Sequence, residues 1–233
     1  MARYLIKISG EMFGTCGFSP EQTSALVEEL IVAQRETGAE MALVVGGGNI
    51  WRGRDSKEFG FPAAESDRIG IGATVLNAAV LKEVFRSKNI AAEVFVPHAV
   101  PLLGKSHRIE EEIHSLENGR IVIFAGGTGS PFFTTDSAAV VRGLEIRADA
   151  VLKGTKVDGV YDDDPEKNPS AKRYETLTHD EAVRKGLKVM DGTAFSLARE
   201  YNIPIFVFNA FRKGSFLRAI QGVETGTWVR TDS

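Results

Sequence analysis

The sequence predicts an α/β protein in which helices cover both faces of a mainly parallel sheet. Short apolar runs typical of buried strands alternate with longer, helix-like runs almost from end to end. Several strand-like runs end in glycine before the next helix-like run, as expected of turns in successive βαβ units. The 233 residues suit one large α/β domain or two small ones, and we predict a single domain with an internal boundary near residues 148–149.

The first helix has clear boundary signals. Ser19, Pro20 and Gln22 match an N-cap, a proline at the first helical position and a capping-box partner. Gly38 is a typical helix stop. These signals predict a helix from Pro20 to the residue before Gly38.

The remaining elements follow from length and apolar content. Met41–Val45 is a continuous apolar run, as expected of a strand buried on both faces. The predicted strands are Tyr4–Ile8, Met41–Val45, Ala92–Val96, Arg120–Ala125, Ala150–Lys153, Ile205–Phe208 and Thr227–Arg230. The later predicted helices are Asp67–Ser87, Thr135–Ala148, one that begins with a capping box at Thr178, Thr193–Tyr201 and Ser215–Gln221.

The composition indicates a soluble protein of a reducing compartment. A formal net charge of −3 gives no electrostatic reason to expect nucleic acid as a partner. The longest uncharged runs, residues 69–81 and 121–135, are too short to span a bilayer, and the N-terminus shows no export signal. The lone cysteine, Cys16, cannot form an internal disulfide. We therefore expect a cytoplasmic protein that binds neither nucleic acid nor membranes.

Three glycine-rich turns follow predicted strands: Ser9-Gly10, Gly46–Asn49 and Gly126–Gly129. The third leads into a helix, and exposed amides at a helix N-terminus bind phosphate. Each turn alone is explained by tight backbone geometry, but three at one edge of a sheet favour a phosphate-rich cleft. The P-loop pattern and the dinucleotide G-x-G-x-x-G after the first strand are both missing from the sequence. This argues against a P-loop kinase and an ordinary dinucleotide oxidoreductase.

Two cations and one acid near these turns each have two interpretations. Lys7 either reaches an edge of the sheet or directs its ammonium at phosphate oxygens. Arg52 is either a solvated surface residue or a bidentate phosphoryl ligand. Asp67, at the predicted start of a helix, either complements the helix dipole or accepts hydrogen bonds from a ribose.

The segment Lys153–Pro165 follows another predicted strand and contains three consecutive aspartates. An acidic run is usually a solvated loop, but an aromatic residue and an acid flanked by lysines also suit an adenosine and its phosphates. Asp191 either caps the next helix or orients lysines and metal in the cleft. The four histidines lack the spacing of metal ligands.

With these residues in place, the chain closely resembles the bacterial uridylate (UMP) kinases of the amino acid kinase family, over essentially its whole length. The segment Gly-Thr-Gly-x-Pro-Phe-Phe-Thr-Thr-Asp at residues 127–136 is specific to uridylate kinases, whereas the glycine turns are shared more widely in the family. The other matching segments are Lys7–Glu11, Gly46–Gly53, Asp67, Lys156–Tyr161 with Asp164-Pro165, and Leu187–Asp191.

The resemblance implies an αβα sandwich that transfers the γ-phosphoryl group of ATP to UMP, giving UDP and ADP with Mg²⁺. A half of about residues 1–148 would bind UMP, and a half of about residues 149–233 would bind ATP. The residues implied at the transferring phosphoryl group are Lys7, Arg52, Lys153 and Asp191. Those implied in ATP binding are Lys7, Ile8, Ser9, Gly10, Gly48, Arg52, Thr155, Tyr161 and Asp164. Those implied in UMP binding are Gly47, Asp67, Thr128, Gly129, Ser130, Pro131, Phe132, Phe133, Thr134 and Thr135.

The resemblance also implies a homohexamer that GTP activates and UTP inhibits. The loop that matches the GTP-responsive pattern comprises Gly14, Thr15, Cys16, Gly17, Phe18 and Ser19. Ser130 stands where uridylate kinases usually have asparagine, and Arg68 where histidine is common. Cys16 and the Ser19-Pro20 pair are also less typical. These departures bear on regulation more than on activity.

Two other functions compete with this one. A kinase of the same fold that acts on a carboxylate, carbamate or isopentenyl phosphate would have no need of Asp67 as a ribose acceptor beside the Phe-Phe-Thr-Thr-Asp loop. A non-catalytic nucleotide sensor could lose its phosphoryl-transfer residues. The chain retains Lys7, Arg52, Lys153 and Asp191, which argues against a mere sensor.

Overall fold

A computed structural model describes residues 1–53, 55–165, 167–187 and 190–231. Within these residues nine strands form one sheet in the order β4-β3-β5-β2-β1-β6-β8-β9-β7. All neighbouring strands are parallel except β8 and β9. The strands are β1 (Arg3–Ile8), β2 (Glu40–Val45), β3 (Ala92–Val96), β4 (Lys105–Ser106), β5 (Ile121–Phe124), β6 (Ala150–Thr155), β7 (Thr176–Thr178), β8 (Ile205–Asn209) and β9 (Gly226–Arg230).

Helices pack on both faces of this sheet. The helices are α1 (Pro20–Thr37), α2 (Asp55–Phe59), α3 (Ala63–Ser87), α4 (Ile109–Glu117), α5 (Thr135–Glu145), α6 (His179–Arg184), α7 (Gly192–Glu200) and α8 (Ser215–Ile220). Apolar side chains of α1, α3 and α8 share one hydrophobic core with the sheet, and those of α4 to α7 share the other. The predicted α/β architecture, an αβα sandwich around a mainly parallel sheet, is confirmed.

Strand β2 shows why continuous apolar runs predict the centre of such a sheet. Met41, Leu43 and Val45 pack into the core beneath α1 and α3, while Ala42 and Val44 pack into the core on the opposite face. Each of the five side chains is at most 1% exposed. Because successive side chains of a strand point to opposite faces, both faces of a central strand must be apolar.

The predicted helix boundaries hold where side chains cap the helix. Ser19 accepts a hydrogen bond from the Gln22 backbone at 3.2 Å, and α1 ends at Gly38 in the left-handed conformation. Thr178 and Glu181 form a reciprocal capping box at the start of α6.

Other boundaries differ from the predictions. Helix α3 begins at Ala63, directly after Pro62, so Asp67 lies in its second turn and not at its start. Helix α5 ends at Glu145, three residues early, because Arg147 is left-handed (φ 57°) and the Ala148 amide turns back to the Gly143 carbonyl. The short helix α2 and the glutamate-rich α4 were not predicted. No helix in the described ranges has the length and apolar character to cross a membrane.

Candidate active site

The turns after β1 and β2 contact each other directly through their backbones. A Cβ atom placed on Gly10 would lie 2.5 Å from the Gly48 nitrogen, and one on Gly46 would lie 2.9 Å from the Gly10 nitrogen. Real side-chain atoms do not approach so closely, so only glycine allows the two turns to meet. The backbones of both turns therefore lie at the carboxyl edge of the sheet, where ligands of parallel sheets bind.

The third turn, after β5, is anchored to the same helix as the second. The Gly126 amide donates to the Thr74 hydroxyl of α3 at 2.7 Å. A Cβ atom on Gly47 would lie 2.9 Å from the Ala73 Cβ, one residue earlier in α3. Gly126, Gly127 and Gly129 have positive φ angles of 78°, 57° and 84°, which glycine adopts at little cost. The structure thus gathers the three predicted turns around one edge of the sheet.

Two lysines from neighbouring strands converge on one carboxylate. Lys7 of β1 and Lys153 of β6 are register partners in the sheet. The Lys7 Nζ atom lies 3.0 Å from Oδ1 of Asp136, and the Lys153 Nζ atom donates a hydrogen bond to Oδ2 of the same residue. The interpretation of Lys7 as an edge residue is wrong, because β1 is a central strand and its lysine is mostly buried.

Burial and the neighbouring opposite charges shift the pKa values of Asp136 and Lys153 in opposite directions. Burial alone would raise the pKa of Asp136, but the charges of Lys7 and Lys153 outweigh it and hold that pKa below its usual value. Burial lowers the pKa of Lys153, and the Asp136 charge only partly restores it. Asp136 therefore remains ionised, while the ammonium of Lys153 is held in a poorly solvated position.

Asp136 was not among the predicted site residues, although it closes the segment 127–136. It is the second residue of α5, where an acid is ordinarily explained by the helix dipole. The sequence did contain a signal for the role of Asp136. Lys7 and Lys153 lie on two strands that the alternation of strands and helices predicts to be parallel. A carboxylate at the next helix N-terminus is the natural partner for both.

Asp191 caps a helix and also contacts α5. Its side chain accepts hydrogen bonds from the Ala194 amide at 2.9 Å, the Ser137 hydroxyl at 2.8 Å and the Thr134 hydroxyl. The interpretation of Asp191 as a helix cap is confirmed. Its charge also raises the pKa of Lys153, while its role in orienting lysines and metal stays a prediction. The adjacent Lys188 and Val189 lie outside the described residues.

Arg52 is tied to two of the glycine turns and is not a merely solvated residue. Its Nε atom donates to the Gly48 carbonyl at 2.7 Å, and its Nη2 atom donates to Glu11 Oε1 at 2.6 Å. Glu11 also accepts from Lys156, whose Nζ atom lies 2.5 Å from Oε2. The hydrogen bond from Lys156, together with the one from Arg52, lowers the pKa of the Glu11 carboxyl despite partial burial.

Asp67 holds the loop between β5 and α5. Its Oδ2 atom accepts a hydrogen bond from the Phe132 amide at 2.8 Å. Phe132 has a φ angle of 71°, which is uncommon for a residue other than glycine. The rings of Phe132 and Phe133 are exposed at this loop, and the Gly129 carbonyl accepts from His98 Nε2 at 2.8 Å. The structure therefore brings Asp67 and the predicted UMP-binding segment 128–135 together.

Of the predicted adenosine residues, Thr155 ends β6, while Tyr161 and Asp164 lie in the segment that follows it. The Thr155 hydroxyl donates to the Val157 carbonyl at 2.7 Å. The Tyr161 hydroxyl donates to Asp158, and this hydrogen bond raises the pKa of Tyr161. Asp164 pairs with Lys167 at 3.2 Å in an exposed position.

The loop 14–19 is fastened to the second glycine turn by an asparagine pair. The Gly17 amide donates to the Asn49 carbonyl at 2.8 Å, and Asn49 Nδ2 donates to the Gly17 carbonyl at 2.9 Å. Asn49 and the fully buried Asn77 of α3 exchange side-chain hydrogen bonds of 3.1 and 2.7 Å. Asn77 also donates to the Gly46 carbonyl at 2.7 Å. Cys16, in the same loop, is exposed.

Taken together, the site offers clustered cations, backbone turns that suit anions and two helix N-termini. Such an arrangement stabilises transferring phosphoryl groups by position and charge, without a covalent nucleophile.

Comparison with known proteins agrees with this chemistry. The family model described as "Amino acid kinase family" matches residues 2–209. A uridylate kinase of Xanthomonas campestris pv. campestris is 44% identical over 233 residues, which cover 98% of this chain and 96% of that protein. A uridylate kinase of Pseudoalteromonas atlantica is 46% identical, and the match covers 97% of this chain and 93% of that protein.

Solved structures give the same result. The UMP kinase from Bacillus anthracis superposes with a TM-score of 0.94 at 37% identity, covering 99% of this chain and 96% of that one. The UMP kinase from Ureaplasma parvum superposes with a TM-score of 0.93 at 32% identity, and the match covers 99% of each chain. The chain therefore belongs to the amino acid kinase family, and the relatives it matches along nearly its whole length are uridylate kinases.

Proposed function

We propose that the protein is a uridylate kinase that transfers the γ-phosphoryl group of ATP to UMP, giving UDP and ADP in pyrimidine nucleotide biosynthesis. The observation that carries the proposal is the convergence of Lys7 and Lys153 on Asp136, beside three glycine turns. The full-length similarity to uridylate kinases supports the choice of UMP as acceptor.

In this mechanism the protein supplies charge and position. Lys7 and Lys153 neutralise the transferring phosphoryl group, Arg52 bridges donor and acceptor phosphates, and Asp191 orients the lysine cluster. No general base is required, since the attacking UMP phosphate oxygen carries no proton that must be removed. The fixed backbones of the touching turns reduce the cost of bringing two anionic substrates together.

The two halves of the single domain would divide the substrates. In the half of about residues 1–148, Gly47 would bind the UMP phosphate, Asp67 the ribose, and Thr128, Gly129, Ser130, Pro131, Phe132, Phe133, Thr134 and Thr135 the uridine and its phosphate. The half of about residues 149–233 would bind adenosine through Thr155, Tyr161 and Asp164. The ATP phosphates would meet Lys7, Ile8, Ser9, Gly10 and Gly48. The hydrogen bond between Asp67 and Phe132 supports a common site for ribose and base.

The donor groups of the site suit Mg²⁺ that arrives with ATP. Within the described ranges, no three His, Cys, Asp or Glu side chains are grouped so as to hold a metal ion. Mg²⁺ in kinases takes most of its ligands from phosphate and water, with one or two carboxylates. Asp191 is the carboxylate that we expect beside the ion, which would neutralise charge on the phosphates.

We extend the proposal to regulation and assembly. GTP would activate and UTP inhibit a cytoplasmic homohexamer, with the loop Gly14–Ser19 taking part in the response to GTP. The two hydrogen bonds between Gly17 and Asn49 support this, because they connect the loop to one of the proposed phosphate-binding turns. Exposed Phe59, Phe61, Ile69 and Leu76 on and around α2 and α3 support a surface for self-association.

The test is the release of ADP by the purified protein with Mg-ATP. UMP, CMP, dUMP and acetylglutamate are compared as acceptors, with and without GTP, and the Lys7→Ala variant is the inactive control. Turnover restricted to UMP supports the proposal. A folded wild-type protein that forms no UDP under any of these conditions would overturn it.

A further inference from the structure

Glu11 joins cations from two different turns of the candidate active site. It lies in a single 3₁₀ turn (Gly10–Met12) directly after the first glycine turn. Its Oε1 atom accepts from Arg52 Nη2 at 2.6 Å, and its Oε2 atom lies 2.5 Å from Lys156 Nζ. One carboxylate therefore connects the segments that follow β1, β2 and β6.

The contact with Glu11 fixes the orientation of Arg52. The Arg52 guanidinium donates through Nε to the Gly48 carbonyl at 2.7 Å and through Nη2 to Glu11. Two hydrogen bonds from one edge of a planar group define its plane as well as its position. Without Glu11, the guanidinium would lose the hydrogen bond that its Nη2 atom donates.

The Glu11 carboxylate is negatively charged, as a phosphate group is. A phosphate group that approaches Arg52 or Lys156 must compete with Glu11 for their N–H donors. The side chains of Glu11, Arg52 and Lys156 are 23%, 32% and 58% exposed. Because all three side chains are partly exposed, an incoming phosphate can reach the N–H donors that Glu11 occupies.

We propose that Glu11 is a positioning residue that orients Arg52 for phosphoryl transfer and weakens the pairing of Arg52 and Lys156 with ground-state phosphates. The proposal rests on the function proposed above. Glu11 holds the two cations over the cleft before the nucleotides bind. It keeps the guanidinium aligned during the reaction, and its negative charge limits how tightly the phosphates are bound beforehand.

The proposal predicts opposite effects on binding and on turnover. Glu11→Gln retains the size of the side chain but removes its charge, so Mg-ADP should bind about threefold to tenfold more tightly. The kcat for UMP should fall about tenfold or more, because Arg52 is less well oriented. A residue with a purely structural role would weaken binding and turnover together.

The first measurement is the Kd of Mg-ADP by calorimetry for the wild type, Glu11→Gln and Glu83→Gln. Glu83 forms an exposed ion pair with Arg86 in α3, so its variant is the matched control and should bind as the wild type does. Tighter binding in Glu11→Gln alone supports the proposal, and unchanged or weaker binding overturns it. If Glu11→Gln does not fold, Lys156→Met tests the same contact, and its Kd should rise; an unchanged Kd counts against the proposal.

A double-mutant cycle tests whether Glu11 acts through Arg52. The kcat values of Glu11→Gln, Arg52→Gln and the double variant are compared with the wild type. We expect the double variant to be no slower than Arg52→Gln alone, whereas multiplied losses would show that Glu11 acts independently of Arg52. If the wild type forms no UDP, the proposed function fails, but the binding comparison with Mg-ADP still decides the role of Glu11.

Discussion

Lys7 and Lys153 stand side by side on neighbouring parallel strands and share the two oxygens of Asp136. Side chains of paired residues on a sheet point to the same face, so the two ammonium groups are held close together. Like charges so close would repel strongly in a buried position, and the carboxylate at the start of α5 offsets that repulsion. The pair is thus stable only with a third, negative group, which is either Asp136 or an anionic ligand.

Replacing Lys7 by Met should remove the cation while keeping most of the apolar side-chain volume. We expect kcat to fall by about 10²-fold or more, with the Kd for UMP changed by less than about threefold. UDP formation and UMP calorimetry provide the two values. Lys88→Met, which breaks an exposed ion pair elsewhere, is the matched control. Unchanged turnover in Lys7→Met would remove this residue from the mechanism.

Asp136→Asn should leave two close ammonium groups without their carboxylate. The free energy of unfolding should fall by about 3 kcal/mol at neutral pH, and turnover should be lost with it. Urea denaturation gives the first quantity. Asp180→Asn, which breaks an exposed pair with Arg199 at 2.7 Å, should change stability by less than about 1 kcal/mol.

The difference in unfolding free energy between the wild type and Asp136→Asn should depend on pH with a definite sign. The pKa of Asp136 is lowered in the folded protein, so its contribution is complete above the unfolded-state pKa of about 3.9. As pH falls from about 4 towards the lowered folded-state pKa, the advantage of the wild type over Asp136→Asn should shrink. A difference that stays constant from pH 7 to pH 3 would show that folding does not lower the pKa of Asp136.

Asp67→Asn should discriminate between ribose and deoxyribose. The kcat/KM for UMP should fall by about tenfold or more, as expected for a lost hydrogen bond to a charged acceptor. The value for dUMP should fall less. The amide can still accept from the Phe132 backbone, so the loop should keep its shape. Equal losses with the two substrates would argue against a contact between Asp67 and the 2′-hydroxyl.

Glu112 gives a second pH-dependent test, away from the candidate active site. Burial raises the pKa of its carboxyl, and the hydrogen bond from His107 only partly opposes this. A raised carboxyl pKa stabilises the fold below the unfolded-state value of about 4.3, and this contribution is lost as pH rises through the folded-state pKa. The stability of Glu112→Gln relative to the wild type should therefore increase with pH above about 4.3. The opposite trend in chemical denaturation would contradict the role given to burial.

The sequence was most informative where one local pattern determines one element. Strand β2 was predictable from its continuous apolar run, and α1 from the serine before it, the proline at its first position and the glycine after it. None of these signals required tertiary information. Helix α4 was missed although its apolar residues Ile109, Ile113 and Leu116 recur at i, i+4 and i+7, the spacing of an amphipathic helix. Helix α3 begins earlier than predicted because Pro62, and not Asp67, marks its start.

The site was less predictable, because its contacts depend on how distant turns pack. Asp67 and the segment 128–135 could be associated through a family resemblance, and the structure does bring them together. Glu11 and Arg52 are 41 residues apart, and their ion pair depends on the close approach of two glycine turns. No spacing in the sequence indicates that contact.

The paired amides of Asn49 and Asn77 hold the second glycine turn with neutral groups. Amide side chains do not titrate near neutral pH, and hydrogen bonds between neutral groups are little affected by salt. The backbone around Gly46 should therefore keep one shape when the charges near it change. The geometry of the second glycine turn is then set by neutral contacts and not by its ionic surroundings.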